Sequence, residues 1–238
     1  MKNKVCILTS VHPPFDVRIF HKEAKSLVKA GYDVTLIAQH DKEEIVDGVK
    51  IINLQKPRNR IERMTKTVWS AYRKAVQLDA DIYHFHDPEL IPVGMRLKGM
   101  GKSVIFDSHE DVPKQLLGKT YLKKPVKIFL SRCIELYERN SCRRFDAIVA
   151  ATPFIRDKFL KINPNTLDIN NFPMIGELES GQVDWSIKQN HVCYVGGIGT
   201  TRGIEEMVKA MALVKTPARL QLGGQFSEKA TEARITAL

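Results

Sequence analysis

The chain has 238 residues, of which 43% are hydrophobic, so it can bury a core and is not a disordered protein. Its 37 Lys and Arg residues against 27 Asp and Glu give a net charge of +10, which suits nucleic acid, anionic lipid or a phosphorylated ligand. The four scattered cysteines form no Cys-x-x-Cys pair, so we expect no zinc site and a reducing cytoplasm. The sequence predicts neither a signal peptide nor a membrane span, because no apolar stretch approaches about 18 residues.

Short apolar runs alternate with amphipathic stretches through the first part of the chain. This pattern predicts βαβ units, and therefore a parallel sheet with helices on both faces and a ligand at the carboxyl ends of the strands. The predicted strands are 5–11, 33–38, 49–54, 81–87, 102–110 and 146–152, the predicted helices are 18–31, 61–78, 88–99, 126–145 and 153–162, and 166–173 closes the series.

The alternation lapses at 174–190, which we interpret as a linker. It resumes with strands at 191–197 and 218–224 and helices at 202–214 and 227–238. Two strands and two helices are half of a mononucleotide-binding fold. We therefore expect an α/β protein with a complete Rossmann-like domain at 1–173 and a second Rossmann-like domain from 191 that is truncated at 238.

The second domain opens with a glycine turn. Glycines let backbone amides approach a phosphate, and the N-terminus of the following helix attracts its charge. The dinucleotide pattern G-x-G-x-x-G fails at Arg202, and the next strand ends in Gly223 and Gly224 rather than in an acid, so we expect a phosphate site without NAD. A tight turn with a solvated arginine is the alternative. The predicted phosphate-binding residues are Gly196, Gly197, Gly199, Thr200, Arg202 and Gly203.

Polar residues follow two predicted strands. Asp107, His109 and Glu110 come after one of them, where a histidine could stabilise a transition state, transfer a proton or bind a substrate hydroxyl. A loop histidine that caps the next segment is the alternative. On another strand His84 and His86 share a face, but no third ligand has a firm place, so we expect no metal site.

Further candidates for the substrate cleft come from loops. His86 and Asp87 stand at a strand tip and could make polar contacts with a ligand. The loop after the first strand holds Phe15, Asp16 and Arg18, which either face substrate or serve as a helix cap and a solvated charge. We assign Phe15, Asp16, Arg18, His86, Asp87 and Glu110 to the acceptor side of the cleft.

Two basic stretches, 56–74 and 114–132, interleave Lys and Arg with Trp, Tyr and Leu. This composition suits an anionic membrane surface, although core-facing helices with a solvated basic back would show it too. We see no helix-turn-helix, RNP or zinc-finger signature, so we do not expect nucleic acid as a partner.

The sequence resembles the glycosyltransferases of family 4, which are retaining enzymes with the two-domain GT-B fold. The resemblance covers nearly the whole chain and is carried by "PPFDVRIFHKEAKSLVKAGYDVTLIA", "HFHDPELIPVG", "VIFDSHEDVP", "NNFP" and "CYVGGIGTTRGIEEMVKAM". It implies sugar transfer from a nucleotide-sugar, such as a UDP- or GDP-sugar, usually without a metal or other cofactor. It also implies that His109 lies near the reacting sugar, that 197–203 holds the donor phosphates and that Asn171 lies in the interdomain crossover.

The sequence departs from the family pattern in several places. The loop after the first strand is "HPPFD" where glycines are common, Gly197 stands where the family has arginine, and Arg202 stands where it more often has lysine. The paired glutamates that contact the donor fall beyond Leu238, so we expect the chain to be inactive alone. We expect a role in cell-surface polysaccharide or glycolipid assembly, peripheral on the inner membrane face. A non-catalytic acceptor- or membrane-binding module and a nucleotide-sugar epimerase are the alternatives, and the oligomeric state stays open.

Overall fold

The structure is a computed structural model that describes residues 3–119, 122–177, 181, 184–227 and 229–237. The chain divides into two compact units, Met1–Glu177 and Leu178–Leu238. The division falls within 174–190, the stretch that we interpreted as a linker. Part of that stretch (178–180 and 182–183), together with Thr120 and Tyr121 of the basic stretch 114–132, lies outside the described residues.

The first unit is built on one large sheet. Its strands are β1 Lys4–Leu8, β2 Asp33–Gln39, β3 Glu44–Val46, β4 Val49–Leu54, β5 Ile82–Phe85, β6 Ser103–Ser108, β7 Ala147–Ala150 and β8 Thr166–Asp168. In the described part of the chain the order is β3-β4-β2-β1-β5-β6-β7-β8, and every pairing is parallel except that of β3 with β4. The predicted α/β fold with a parallel sheet is confirmed.

Helices cover the sheet on both faces. They are α1 Lys25–Lys29, α2 Arg60–Glu62, α3 Val68–Leu78, α4 Ile91–Gly99, α5 Val112–Leu117, α6 Lys124–Cys142 and α7 Pro153–Leu160. Two π-helical segments, Val17–Ala24 and Arg63–Thr67, lead into α1 and α3, and a 3₁₀ turn, Pro88–Leu90, leads into α4. Because side chains alternate along a strand, β1 sends Cys6 and Leu8 into one core and Val5 and Ile7 into the other.

The structure differs from the sequence-based elements in three ways. The edge strand β3 and the short helix α5, which begins after the capping Asp111, were not expected. The predicted strand 5–11 ends at Leu8, because the next residues turn to bond the tip of β5. The predicted helix 18–31 begins with a π-helical segment, which has consequences for the site described below.

The second unit consists of two strand–helix pairs of the Rossmann type. It contains β9 His191–Val195, α8 Ile204–Met211, β10 Arg219–Gly223 and α9 Lys229–Thr236, with 3₁₀ turns at Trp185–Ile187 and Thr200–Arg202. Its two strands pair in parallel, with His191 opposite Arg219. Among the described residues of both units, no helix is long and apolar enough to cross a membrane.

Candidate active site at the carboxyl edge of the sheet

The chain reverses its direction of travel across the sheet between β1 and β5. From β1 it runs outward through β2 and β4, then returns to lay β5 on the other side of β1 and continues to β8. Open α/β sheets bind their ligands at such a switch point, beyond the carboxyl ends of the strands. Asp87 joins the two tips here, because its Oδ2 accepts hydrogen bonds from the Thr9 hydroxyl at 2.8 Å and from the Ser10 amide at 2.6 Å.

The π-helical segment Val17–Ala24 brings a buried arginine to this edge. Asp16 caps the segment by accepting from the amides of Arg18 at 2.9 Å and Ile19 at 3.0 Å. Arg18 itself is only 6% exposed. The loop residues were expected either to face substrate or to be a cap and a solvated charge; Asp16 is a cap, whereas Arg18 is buried rather than solvated.

Arg18 holds three separate parts of the edge together. Its Nη2 donates to both carboxylate oxygens of Asp107, at 3.0 and 2.8 Å, and its Nη1 donates to the carbonyl of Ile169 after β8 at 2.6 Å. Its Nε lies 3.0 Å from Oε1 of Glu23. An α-helix would place residues five apart about 140° from each other, whereas i to i+5 hydrogen bonding brings Arg18 and Glu23 onto one face.

His109 lies just beyond β6 with one ring nitrogen directed inward. Its Nε2 is 3.4 Å from Oδ1 of Asp107 and 3.3 Å from Nδ1 of His86. The His12 ring packs edge-on against the His109 ring, with ring centres 5.5 Å apart. The side chain of His109 is 20% exposed. Burial would raise the pKa of Asp107, but the adjacent imidazoles of His109, His84 and His86 outweigh burial and hold it well below the usual value. A carboxylate thus orients His109 from within.

Beneath His109 lie two buried histidines, His84 and His86, and the partly buried Glu23. Burial and the neighbouring His84 lower the pKa of His86 well below that of a free histidine. Burial and the charge of Asp107 raise the pKa of Glu23 to about 9, against the opposing effect of Arg18. The sequence predicted that His84 and His86 share one face of a strand. It did not single out Glu23, which has the pattern of any polar residue of an amphipathic helix.

The predicted cleft residues therefore divide into two groups. Arg18, His86 and Asp87 are buried and support the edge from within, while Phe15 and Glu110 are exposed. Phe15 packs edge-on against Phe20, with ring centres 5.1 Å apart. Contact of any of these residues with an acceptor stays a prediction.

A cavity of 520 Å³ opens beside Glu110, between the tip of β5 and helices α5 and α6. It combines apolar surface from Met64, Ile134 and Tyr137 with the cation of Arg60. Such a mixture of apolar walls and a few polar groups is typical of small-molecule sites. Sequence reasoning did not identify this cavity, because its lining comes from four separate segments.

The glycine turn of the second unit follows β9 as expected. Gly203 adopts a left-handed conformation, with φ 67°, directly before α8, and a Cβ on Gly224 would lie 1.7 Å from the carbonyl oxygen of Gly196. Arg202 and Thr200 are exposed at the 3₁₀ turn, with Thr200 also 3.3 Å from the hydroxyl of Thr231. Gly197 is exposed and Gly199 is buried against Ser227.

The first turn of α8 carries two carboxylates, which compete with a phosphate for the helix N-terminus. Glu205 is held away by Lys209 at 2.8 Å and by Arg234 at 3.3 Å, whereas Glu206 is exposed. The turn thus has the backbone shape of a phosphate loop, and the exposed Arg202 is a cation available beside it. Its binding of phosphate stays a prediction.

Comparisons with known proteins agree with this architecture. Sucrose-phosphate synthase from Thermosynechococcus elongatus matches with a TM-score of 0.66 and 17% identity over 99% of this chain and 66% of that one. Starch synthase IV from Arabidopsis thaliana, bound to ADP and acarbose, matches with a TM-score of 0.65 and 11% identity over 99% of this chain and 71% of that one. An Anabaena protein in complex with UDP and glucose matches with a TM-score of 0.64 and 13% identity over 99% of this chain and 66% of that one. No curated protein sequence matches the chain closely.

The fold is that of the GT-B glycosyltransferases, and this chain spans about two thirds of the length of several such structures. The model of Glycosyltransferase Family 4 matches residues 17–168. That range contains Arg18, His86, Asp107 and His109, the residues that build the carboxyl edge. The chain belongs to glycosyltransferase family 4.

Proposed function

We propose that the chain forms the acceptor-side domain and the beginning of the donor domain of a glycosyltransferase. The reaction moves a sugar from a nucleotide-sugar, a UDP- or GDP-sugar, to a glycan or lipid-linked acceptor. Family membership supports the transferase class, and structures of the same fold bound to UDP with glucose or to ADP support a nucleotide-linked donor.

The position of His109 is the observation on which the proposal depends. Its Nε2 faces Asp107 and His86 inside the protein, and among the described residues none hydrogen-bonds its Nδ1. In retaining transfer, positive charge builds on the sugar ring as the nucleotide leaves. A neutral imidazole held at one nitrogen can hydrogen-bond a sugar hydroxyl through the other and stabilise that state without reorganising.

The donor phosphates are assigned to the glycine turn of the second unit. The amides from Gly196 to Gly203 approach the diphosphate, and Arg202 neutralises charge on the leaving nucleotide. Because a guanidinium supplies this charge, the transfer step in this proposal uses no metal ion. The exposed carboxylate of Glu206, in the first turn of α8, repels phosphate, so the phosphate site does not extend along that helix.

The acceptor is assigned to the 520 Å³ cavity beside Glu110, the residue that follows His109. Glu110 accepts hydrogen bonds from acceptor hydroxyls, Tyr137 offers a ring for sugar stacking, and Arg60 can pair with the phosphate of a lipid-linked acceptor. A lipid-linked acceptor places the enzyme on the cytoplasmic face of a membrane, in polysaccharide or glycolipid assembly. The net charge of +10 supports contact with an anionic surface.

The test compares His109→Ala with the matched control His21→Ala in the complete natural protein. His21 is exposed and lies on the π-helical segment, outside the edge. Turnover of radiolabelled UDP-glucose and GDP-mannose is measured with lipid-linked and soluble glycan acceptors. We expect His109→Ala to lower turnover about 100-fold with little change in melting temperature, and His21→Ala to change neither.

Two outcomes would contradict the proposal. Normal turnover per folded molecule of His109→Ala, combined with a large fall in melting temperature, would show that His109 is structural. Donor conversion at the same rate with no acceptor present would indicate an epimerase.

A further inference from the structure

Four side chains from three parts of the first unit converge below His109. Glu23 comes from the π-helical segment, His84 from β5, His86 from the tip of β5 and Asp107 from β6. One nitrogen or oxygen of each lies within 4.8 Å of the corresponding atom of all the others. These are two imidazoles and two carboxylates, so the cluster is not merely acidic.

The atoms at the centre of this cluster make no hydrogen bond to any described residue. Oε2 of Glu23, Nε2 of His84 and Nε2 of His86 are buried and unsatisfied, whereas Oε1 of Glu23 lies in an ion pair 3.0 Å from Nε of Arg18. His86 is only 2% exposed. A buried polar atom without a partner costs free energy, and three together call for a group that satisfies them at once.

The distances fit metal ligands better than hydrogen bonds. Nε2 of His84 lies 3.5 Å from Oδ2 of Asp107, and Nε2 of His86 lies 3.4 Å from Oε2 of Glu23. Hydrogen bonds between such atoms are usually about 2.7–3.2 Å long. Ligands at about 2.0–2.2 Å from a tetrahedral ion stand ~3.4 Å apart, so two edges already have that length. The widest separation, up to 4.8 Å, must shorten by about 1.4 Å when the ion binds.

We infer that Glu23, His84, His86 and Asp107 form a zinc-binding site that holds the carboxyl edge of the first unit together. Four ligands of this mixed nitrogen and oxygen type suit Zn²⁺, whereas Mg²⁺ and Ca²⁺ prefer oxygen ligands. Four protein ligands leave no open position, so the ion is structural and takes no part in sugar transfer. The sequence predicted no metal because it gave no firm third ligand; the fold supplies two.

The neighbours of the cluster act as its outer layer. Arg18 fixes Asp107 by donating from Nη2 to its oxygens. His86 that binds zinc through Nε2 carries its proton on Nδ1, which lies 3.3 Å from Nε2 of His109. His109 then keeps its own proton on Nδ1 and presents a donor outward. The ion would thereby select the tautomer of the residue assigned to the reacting sugar.

A single proton on Glu23 is the competing state. It would remove the excess negative charge, but one proton bridges one pair of atoms, and the remaining contacts are too long for good hydrogen bonds. The two states make different predictions, because the protonated cluster binds no zinc and gains no stability from it.

The experiment measures zinc content and zinc-dependent stability of the purified chain. The protein is stripped with a chelator, dialysed against Zn²⁺ or Mg²⁺ and analysed by mass spectrometry for metals. We expect one Zn²⁺ per chain and no retained Mg²⁺. At free zinc about 100-fold above the dissociation constant, we expect the melting temperature to rise by about 5 °C over that of the stripped protein. Co²⁺ in place of zinc should give the visible absorption of a tetrahedral ion.

The variants separate this site from adventitious binding. His84→Gln should lose the zinc and the thermal shift, while Cys133→Ser with Cys193→Ser, which removes the two exposed thiols, should keep both. If His84→Gln fails to fold, the thermal shift of the wild-type chain still decides. Substoichiometric zinc with no shift, or equal zinc in His84→Gln, would overturn the inference.

Discussion

Arg18 Nη2 donates to both carboxylate oxygens of Asp107, at 3.0 and 2.8 Å, although the two residues are 89 positions apart in the chain. Both side chains are buried, and the pair joins the segment before α1 to the tip of β6. A buried ion pair stabilises little over an apolar replacement, but loss of one partner leaves an uncompensated charge. The pair therefore fixes the shape of the edge on which His86 and His109 lie.

Replacement of Arg18 should destabilise the protein strongly. We expect Arg18→Met to lower the free energy of unfolding by about 3–5 kcal/mol, because Asp107 stays buried without its partner. Arg156→Ala is the control, since Arg156 pairs with Asp157 and Asp168 at the surface and its loss should change stability little. Urea unfolding measures both. Equal losses in the two variants would contradict the structural role of the buried pair.

Two glycines of α4 provide a matched test of the packing. A Cβ on Gly94 would lie 2.6 Å from Cε1 of Phe85, whose ring stacks on Phe106 with centres 4.9 Å apart. For Gly99, in the same helix, no atom of the described residues lies within 4 Å of the Cβ position. We expect Gly94→Ala to cost about 1–3 kcal/mol and Gly99→Ala to cost nothing. Thermal unfolding distinguishes them, and similar melting temperatures for the two variants would show that Phe85 can move aside.

Asp146 should contribute to acid sensitivity. Burial would raise its pKa, but Lys98 at 2.6 Å and the amide of Val104 at 2.7 Å outweigh burial, so the pKa lies below the usual value. A carboxyl with a lowered folded pKa stabilises the fold fully above its unfolded pKa of about 3.9 and loses this contribution as the pH falls through the folded value.

The test is the free energy of unfolding of wild type and Asp146→Asn between neutral and acidic pH. We expect the wild-type protein to be more stable at neutral pH and the difference to shrink as the pH falls below about 4. Lys98→Met, which removes one partner, should weaken the same pH dependence. Parallel pH profiles for wild type and Asp146→Asn would show that Asp146 keeps an ordinary pKa.

Local patterns predicted the sheet and the residues at its edge, because strand tips in a parallel sheet meet at one edge whatever the details of the helices. His109, His86 and Asp87 could be placed there from sequence alone. The contact of Glu23 with His86 could not, since it depends on a π-helical segment that turns Glu23 toward Arg18. The short strand β3 was missed because three residues carry too little alternation.

The basic stretch 114–132 offers a test of membrane contact at α6. This helix exposes an apolar row that includes Val126, Phe129 and Leu136. Lys123 and Lys124 are exposed at its N-terminal end. Apolar side chains next to lysines are typical of helices that lie on anionic lipid. An ordinary solvated surface would show the same residues without binding lipid.

Charge reversal on two different faces of the protein separates these alternatives. The test variant is the double substitution Lys123→Glu with Lys124→Glu, and the control is Lys29→Glu with Lys50→Glu. All four lysines are exposed, and each variant replaces two of them with glutamate, so the two variants have the same net charge. At about 1 kcal/mol per basic residue near an anionic surface, the first pair should weaken binding at least ~30-fold. The control pair should weaken binding far less.

Sedimentation with anionic and neutral vesicles measures the fraction of protein bound to each kind of vesicle. Equal loss in the two variants would indicate attraction by net charge alone, and equal binding of the wild-type chain to both kinds of vesicle would exclude an anionic-lipid surface at α6.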